Sequence, residues 1–450
     1  MVPSLWLRTN GANAPPPNIL FILTDDQRND TLGCAGHPVI KTPHIDRLAE
    51  GGVRFENAFV TTSICAASRA SILTGVTERT HGYTFGKPPV PAPLVSASYP
   101  ALLRAAGYRT GFFGKLGVNL EGGHEALFHE AGIRDRPYLK KQKDGSLRHI
   151  DEINLEQALN FIKNCSPGQP FCLSVSFSSA HAEDRDKENH YPNIEATQGM
   201  YSEARIDPPR LSDPAIFEAL PDFLQHSMNR DRFFWRWDTP EKYDKNMRDY
   251  FGLISGVDHM VGRILAQLQK QGLADNTAVI YAGDNGYYMG DRGFAGKWSH
   301  FEQSLRVPLI LSDPRLPEKR RGEIQDAMAL NVDIPATILD LAGVQSPDHY
   351  QGRSLFAWTN DKKPKFWRDD FFCEHLMDHK SIPKWEGVRG ERYVYARYFE
   401  QDPVFEFLHD LRMDPDELTN LAGQPNMEKT LATMRKRCDE LRDLYTSAKP

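Results

Sequence analysis

Two pairs of polar residues in this sequence of 450 residues follow directly after short apolar runs. Asp25 and Asp26 follow the run NILFIL, and Asp284 and Asn285 follow TAVIYAG. Such runs are typical of strands covered on both faces of a mainly parallel sheet, and the carboxyl ends of parallel strands meet at one edge. Their oxygen atoms are hard ligands that suit Ca²⁺ or Mg²⁺ better than Zn²⁺. Either pair alone is more typical of a turn, but the four side chains together predict a divalent-cation site.

Two lysines and a histidine occur in similar settings. Lys115 follows the run YRTGFFG, His181 comes shortly after FCLSVSF and two serines, and Lys297 lies in the segment FAGKWSH. Each of them alone is equally typical of a solvated lysine or a loop histidine. Beside a bound metal, a general acid and two cations would form a site for an anionic leaving group.

Cys65 stands immediately before the segment AASRASIL, whose small residues favour a helix. At a helix N-terminus the free amides and the helix dipole favour anions, so a thiolate there would be acidic and nucleophilic. A simple buried thiol is the structural alternative. The pattern alone leaves both interpretations open.

Composition and charge exclude several classes of function. With 40% hydrophobic residues the chain can form a large core, and its net charge of −6 gives no global positive field to attract nucleic acid. The six cysteines lie far apart, without the pairs or the density of a disulfide scaffold. No apolar run is long enough to span a bilayer, and the N-terminal segment lacks the apolar core of a signal peptide. We expect a soluble protein whose secretion signal, if it had one, is absent from this sequence.

Helical patterns between the apolar runs predict a doubly wound α/β layer. The segment 42–52 starts at a threonine and ends at glycines, and 247–268 places a stripe of apolar residues along one helix face. Residues 183–240 interrupt this rhythm with polar, proline-bearing and aromatic sequence. Such an insertion is typical of a binding loop or lid, and equally of a tolerated surface excursion.

The character of the chain changes again beyond about residue 345. Residues 386–399 alternate like an antiparallel strand pair, and 427–446 predict a charged helix. These patterns indicate a smaller α+β unit at the end of the chain. The expected organisation is an N-terminal tail at 1–16, a catalytic domain at 17–345 and a C-terminal subdomain at 346–450.

The segment CAASR at 65–69, followed by ASILTG, resembles the signature C-x-[P/A]-S-R of the type I sulfatases. In that family the cysteine is oxidised after translation to Cα-formylglycine. The other family blocks are matched in their usual order, from about residue 17 to 422, as NILFILTDDQR, FGKLG, AGDNGYYMGDRGFAGKWSHFEQSLRVPLI and HDLRMDPDELTNLA. Blocks in a shared order are far more specific than the short signature alone.

The resemblance implies an α/β fold like that of alkaline phosphatase, with a mainly parallel sheet sandwiched by helices. A smaller C-terminal α+β domain would contain a four-stranded antiparallel sheet. The resemblance also implies one divalent cation, most often Ca²⁺, with Mg²⁺ as the alternative. Its implied ligands are Asp25, Asp26, Asp284, Asn285 and the formylglycine formed from Cys65.

The same resemblance implies a role for each charged residue. Lys115, Lys297 and the cation would neutralise the sulfate oxygens, and Arg69 would stabilise the formylglycine hydroxylate. Asp284 would be the base that assists attack, and His181 would protonate the departing alcohol oxygen. Most of the acceleration would come from preorganised positive charge.

Two positions depart from the family pattern. Many sulfatases carry a histidine two residues after the position of Lys115, where it is proposed as the base for sulfate elimination, but this chain has Gly117. The base for sulfate elimination is therefore unassigned in this sequence, with His81 and His124 as the two candidates. Ala67 stands where proline is commoner, so we expect maturation to proceed with less complete conversion.

The TDDQR opening and the EGVRGERY segment resemble sulfatases that act on sulfated saccharides from polysaccharides or glycosaminoglycans more than those acting on aryl esters. Six residues and one segment are candidates for binding the sugar: Arg28, His81, His300, His375, Arg389, Arg392 and the aromatic segment 232–236. For each of them, an exposed structural role is at least as consistent with the sequence. A formylglycine-generating enzyme is an implied partner, nucleic acid is not, and the resemblance implies a periplasmic or secreted protein. The alternatives are a phosphonate or phosphate ester hydrolase of the same superfamily and a non-catalytic glycan-binding relative.

Overall fold

The structure is a computed structural model that describes residues 15–166, 168–359 and 364–448, so the predicted tail at 1–16 lies almost wholly outside the described residues. The described strands are β1 (Asn18–Thr24), β2 (Val53–Phe55), β3 (Ala58–Phe59), β4 (Arg109–Gly114), β5 (Glu130–Ile133), β6 (Leu139–Lys141), β7 (Leu147–His149), β8 (Phe171–Ser176), β9 (Thr277–Gly283), β10 (Leu309–Ser312), β11 (Glu323–Gln325), β12 (Ala329–Leu330), β13 (Asp370–His375), β14 (Trp385–Gly390), β15 (Tyr393–Tyr398) and β16 (Phe405–Asp410). The described α-helices are α1 (Pro43–Glu50), α2 (Cys65–Thr74), α3 (Glu78–His81), α4 (Ala92–Ser96), α5 (Tyr99–Ala105), α6 (Ile150–Lys163), α7 (Pro214–Glu218), α8 (Asp222–Gln225), α9 (Met228–Arg236), α10 (Pro240–Lys270), α11 (Glu302–Leu305), α12 (Asp333–Leu341) and α13 (Glu428–Ser447).

An eight-stranded sheet forms the centre of the fold, in the order β11-β2-β10-β9-β1-β8-β4-β5. Strand β10 runs antiparallel to β9 and β2, and the other neighbours pair in parallel. The strands predicted from the apolar runs are β9, β1, β8 and β4, and they lie side by side. Because they are parallel, the polar residues that follow them emerge at one edge of the sheet.

Helices cover both faces of this sheet, which explains the continuous apolar runs. In β1, Ile19 and Phe21 pack into the core shared with α2, α5 and α12. Leu20 and Ile22 point to the opposite core, shared with α1, α6 and α10. The predicted mainly parallel α/β fold is thereby confirmed. Among the described residues, none of the helices combines the length and the apolar character needed to cross a bilayer.

The C-terminal sheet is antiparallel, in the order β13-β14-β15-β16, as expected. Its two faces belong to different cores. Trp385 and Tyr398 pack into the first core of the large sheet, and the indole Nε1 of Trp385 donates to the Trp298 carbonyl at 2.7 Å. Val388 packs on the opposite face against Leu431 of α13. The boundary at residue 345 therefore stays a prediction, because residues on both sides of it build one core.

This shared core generates a stability prediction. Replacing Trp385 by alanine removes a fully buried ring and its hydrogen bond, so we expect the free energy of unfolding to fall by about 3–5 kcal/mol. Urea unfolding followed by circular dichroism measures the change. Leu444→Ala, at a side chain of α13 that is 57% exposed, is the control and should change the value by less than about 0.5 kcal/mol. An unchanged midpoint for Trp385→Ala would contradict the shared core.

Candidate active site

Cys65 is the first residue of α2, as the sequence predicted. The preceding Ile64 has an extended backbone, and every residue of α2 is buried, so the helix is held on all sides. The Lys115 Nζ lies 3.8 Å from the Cys65 Sγ. Burial nevertheless raises the pKa of the Cys65 thiol, and the positive charges of Lys115 and Lys297 oppose this only in part. Of the two interpretations that the sequence left open, this favours the buried thiol, because the loss of hydration outweighs the nearby ammonium groups.

The acidic residues after β1 and β9 meet at the sheet edge. Thr24 and Gly283 are paired in register, so the next residues of both strands lie together. The backbone of Asp26 is left-handed (φ 53°), its amide lies 3.3 Å from Asp284 Oδ1, and its carboxylate accepts from Asn285 Nδ2 at 2.7 Å. Asp25, Asp26, Asp284 and Asn285 are all buried.

Three cations neutralise these carboxylates. Arg69 donates from Nε to Asp284 at 2.7 Å and from Nη2 to Asp25 at 3.3 Å. Lys115 Nζ lies 2.5 Å from the same Asp25, and Lys297 donates to Asp26. We call this set of three acids and three cations the charge cluster.

Within the charge cluster, the pKa of Asp25 is lowered and the pKa of Asp284 is raised. Burial would raise the pKa of Asp25, but Lys115, Arg69 and Lys297 together lower it to about 2. Burial and the neighbouring Asp25 charge raise the pKa of Asp284 to about 6, even though Arg69 opposes the shift. The difference follows from which carboxylate lies closest to several cations.

Two oxygen atoms at this edge of the sheet have no hydrogen-bond donor in the described part of the chain. They are Asp25 Oδ1 and Asn285 Oδ1, and both are inaccessible to solvent. A buried acceptor without a donor is costly unless a cation binds it. Asp25, Asp26 and His181 also bring one ligand atom each within 4.8 Å of one another. The carboxylate oxygen atoms of this group are hard ligands that fit a divalent cation, whereas His181 was not among the ligands implied by the family resemblance.

His181 points its Nε2 at the charge cluster. Its Nδ1 lies 2.7 Å from the Ala182 carbonyl, and its Nε2 lies 3.7 Å from Asp26 Oδ2. The carboxylate of Asp151 positions this segment by accepting from the backbone amides of Ser178 and Ser179. Burial lowers the pKa of His181 well below its usual value, with Lys297 and Lys115 adding to the effect.

Several residues around His181 were not identified from the sequence. Tyr138 Oη lies 3.2 Å from His181 Nδ1, and Arg136 Nη2 lies 3.0 Å from the same atom. Asp184 binds Arg136 at 3.1 Å. Arg136 and Tyr138 follow β5, a strand that no strong apolar run marks, so the sequence held no signal for them.

Some of the predicted sugar-binding residues make their contacts elsewhere. The His81 ring lies 3.1 Å from Ser71 Oγ within the core, and burial lowers its pKa to about 3. His300 packs against aromatic rings of strand β16, and its Nδ1 lies 3.0 Å from Tyr398 Oη. His375 is fully buried, with no hydrogen-bond partner for either ring nitrogen among the described residues.

The predicted arginines are paired with acids. Arg28 binds Asp30 and Asp291, Arg389 donates to Glu302 at 3.0 Å, and Arg392 binds Asp410 at 2.7 Å. These contacts lie outside the charge cluster, so a role in sugar binding stays a prediction for each.

The structure gives a physical reason for Gly117. Its backbone is left-handed (φ 68°), and a Cβ at this position would lie 2.9 Å from Cδ of Arg69. A residue with a side chain at position 117 would therefore displace Arg69 from its position in this structure. Neither guess for the missing base is strengthened, because His81 is engaged in the core and His124 lies 3.9 Å from Glu125.

Comparison with known proteins agrees with this geometry. The sulfatase family model matches residues 17–344, and a model described as the C-terminal part of N-sulphoglucosamine sulphohydrolase matches residues 290–444. An N-acetylglucosamine-6-O-sulfatase of Bacteroides thetaiotaomicron is 27% identical over 96% of this chain and 88% of its own length. An arylsulfatase of Clostridium perfringens is 29% identical over 93% of each chain.

Solved structures show the same fold. A protein solved in complex with its substrate D-glucosamine-2-N,6-O-disulfate superimposes with a TM-score of 0.79 at 24% identity, over 97% of this chain and 99% of that one. A phosphonate monoester hydrolase of Agrobacterium radiobacter gives a TM-score of 0.80 at 22% identity, over 95% and 96%. The fold alone therefore does not separate sulfate from phosphonate esters. The sulfatase model, however, matches most of the chain, so the protein belongs to the sulfatase family of the alkaline phosphatase superfamily and is a sulfuric ester hydrolase.

Proposed function

We propose that this sulfatase removes a sulfate group from a sulfated saccharide, with formylglycine formed from Cys65 and one bound Ca²⁺, for which Mg²⁺ is the alternative. The observation that carries the proposal is the place of Cys65. Cys65 begins a buried helix, and its Sγ lies 3.8 Å from the Lys115 ammonium. The site beside it contains two buried oxygen atoms, Asp25 Oδ1 and Asn285 Oδ1, that lack a hydrogen-bond donor among the described residues. A formylglycine-generating enzyme would be the partner in maturation.

The unmodified thiol is a poor nucleophile at this position because burial raises its pKa. A hydrated formylglycine would supply two geminal hydroxyl groups, one to attack sulfur and one to restore the aldehyde. Arg69 lies on the same helix, one turn after Cys65, and is fixed by Asp284 and by the Lys115 carbonyl. It is therefore placed to hold negative charge on the attacking oxygen, while Asp284 accepts its proton.

Asp25, Asp26, Asp284 and Asn285 would hold the cation, which supplies positive charge against the sulfate oxygens. Lys115 and Lys297 approach the cluster from β4 and from the loop after β9, and both are buried. In a site shielded from water, these fixed ammonium groups stabilise an oxyanion more strongly than they would in solution.

His181 would donate the proton to the departing alcohol. Its Nδ1 lies beside the Ala182 carbonyl, and its Nε2 faces the charge cluster, 3.7 Å from Asp26 Oδ2. Burial and two lysines lower its pKa, whereas the negative charge of a bound sulfate ester would raise it. The histidine would thus take up a proton together with the substrate.

A saccharide substrate has two supports. The relative from Bacteroides thetaiotaomicron acts, by its name, on a sulfated amino sugar. In this chain, α9 exposes the rings of Phe234 and Trp235 by 50% and 42%, and exposed aromatic residues mark binding surfaces. We also propose a periplasmic or secreted location, in line with the relative named an extracellular sulfatase.

The first prediction concerns Cys65. In protein produced with a formylglycine-generating enzyme, the tryptic peptide 55–69 should show the mass change for replacement of CH₂SH by CHO. Cys65→Ala should lower kcat on a sulfate ester by at least about a thousandfold, because the nucleophile is lost. Cys34→Ser, at a half-buried thiol on the other side of β1, should retain activity. Full activity with an unmodified cysteine would sink the proposal, as would higher kcat/KM on the phosphate ester of the same alcohol.

The second prediction concerns the metal. Added Ca²⁺ should raise the thermal unfolding midpoint of the wild type. At a free Ca²⁺ concentration of a hundred times Kd, the folded state should gain about 2.7 kcal/mol, and a chelator should reverse the shift in midpoint. Asn285→Ala removes one of the unpaired oxygen atoms and should weaken the shift. Asp313→Asn, at a buried acid paired with Arg315, is the matched control and should keep the full shift. If neither Ca²⁺ nor Mg²⁺ moved the midpoint, the cation site would be rejected.

The third prediction concerns His181. His181→Gln should lower kcat about a hundredfold or more on a sugar sulfate, whose alcohol needs a proton to leave. On 4-nitrophenyl sulfate, whose leaving group is stable as an anion, the loss should be less than about tenfold. His226→Gln, at an exposed histidine after α8, serves as the control. Equal losses on both esters would exclude His181 as the general acid.

A further inference from the structure

Three arginines surround one aspartate beside His181. Asp184 Oδ2 forms an ion pair with Arg136 Nη2 at 3.1 Å and accepts from Arg232 Nη2 at 3.2 Å, and Oδ1 accepts from Arg236 Nη2. Arg136 follows β5, whereas Arg232 and Arg236 belong to α9 in the long insertion. We call these four residues the arginine cluster.

Positive charge exceeds negative charge in the arginine cluster. The next carboxylate is Glu183, whose Oε1 lies 3.9 Å from Arg136 Nε and whose oxygen atoms accept from the backbone amides of Tyr138 and Arg185. Apart from the exposed Asp135, which also acts electrostatically on Arg136, three guanidinium groups therefore face two acids. In the described part of the chain, the Nε atoms of all three arginines are buried without a hydrogen-bond acceptor. Guanidinium groups held so close together repel one another and leave donors unmatched.

A structural role accounts for only one of the three arginines. Arg236 is completely buried, and its pair with Asp184 ties α9 to the loop after β8. Arg136 and Arg232 keep 23% and 16% of their side chains exposed and share the one remaining oxygen atom of Asp184. Their outer N–H groups are thus available to a ligand.

The arginine cluster adjoins the catalytic residues. Arg136 Nη2 lies 3.0 Å from His181 Nδ1, and the Arg232 guanidinium lies over the ring of Trp298 at 4.9 Å. Trp298 follows Lys297 in the chain. Both arginines act electrostatically on His181, so an anion bound by them would lie near the sulfate group being cleaved.

We infer that Arg136 and Arg232 bind a second anionic group of the substrate, either a carboxylate or a second sulfate, and so select polyanionic saccharides. The inference rests on the proposed function and narrows its substrate class. Guanidinium groups match the two oxygen atoms of such an anion by paired hydrogen bonds. The exposed ring of Trp235, 5.8 Å from the Arg232 guanidinium, offers an apolar face next to them for the sugar.

The test uses three substrates with the same cleavable sulfate: a saccharide with no other charge, the same saccharide with a second sulfate, and one linked to a uronic acid. We expect the wild type to prefer one or both dianionic substrates in kcat/KM. Arg232→Gln should lower kcat/KM about ten- to hundredfold on the preferred substrate and less than about threefold on the singly charged one. The substrate that loses most identifies the second anion.

Arg232→Lys keeps the charge but not the paired donors, so it should recover part of the preference. Arg437→Gln breaks a comparable ion pair on α13 and should leave the ratio between substrates unchanged. Losses of equal size on all three substrates would overturn the inference, and so would a wild type without preference, a result that needs no variant to fold. Failure of the wild type to cleave any sulfate ester would instead overturn the proposed function.

Discussion

The buried carboxylate of Asp25 and the three cations around it are the constraint on which the site depends. Asp25 has no exposed surface, and it contacts Lys115 and Arg69 directly, with Lys297 at 3.9 Å. A buried charge is tolerated only when its partners stay in place, because removing one of them leaves an uncompensated ion. The charge cluster is therefore rigid before any ligand arrives, which is the condition for electrostatic catalysis.

The fold supplies these partners from separate parts of the chain. Asp25 follows β1, Lys115 follows β4, and Arg69 projects from α2, so three elements must be fixed relative to one another. The two cores on the faces of the large sheet provide this rigidity. The C-terminal sheet contributes as well, since Trp385 holds the carbonyl of Trp298 next to Lys297. The C-terminal part of the chain thus supports the segment that carries Lys297.

The sequence predicted the parts of this arrangement that depend on local pattern. The apolar run of β1, the start of α2 at Cys65 and the long stripe of α10 were all predictable because periodicity and helix-terminus signals are local. The burial of His81 and His300 was not predictable, because a histidine in a core and one in a pocket look alike in sequence. The choice between an acidic thiolate and a buried thiol at Cys65 was open for the same reason, since the extent of burial depends on distant elements. Arg136 and Asp184 meet only through tertiary structure.

Charge balance explains why a protonated thiol and a sulfate ester both suit this site. Asp25, Asp26 and Asp284 are matched by Arg69, Lys115 and Lys297, so the charge cluster is neutral without a thiolate, and burial keeps Cys65 protonated. A divalent cation would add two positive charges. The single negative charge of a sulfate ester would offset one of them, and transfer of a proton from the attacking hydroxyl to Asp284 would leave the total charge of the site unchanged. A bound sulfate ester would therefore meet a site of net positive charge, which stabilises negative charge on its oxygen atoms in surroundings shielded from water.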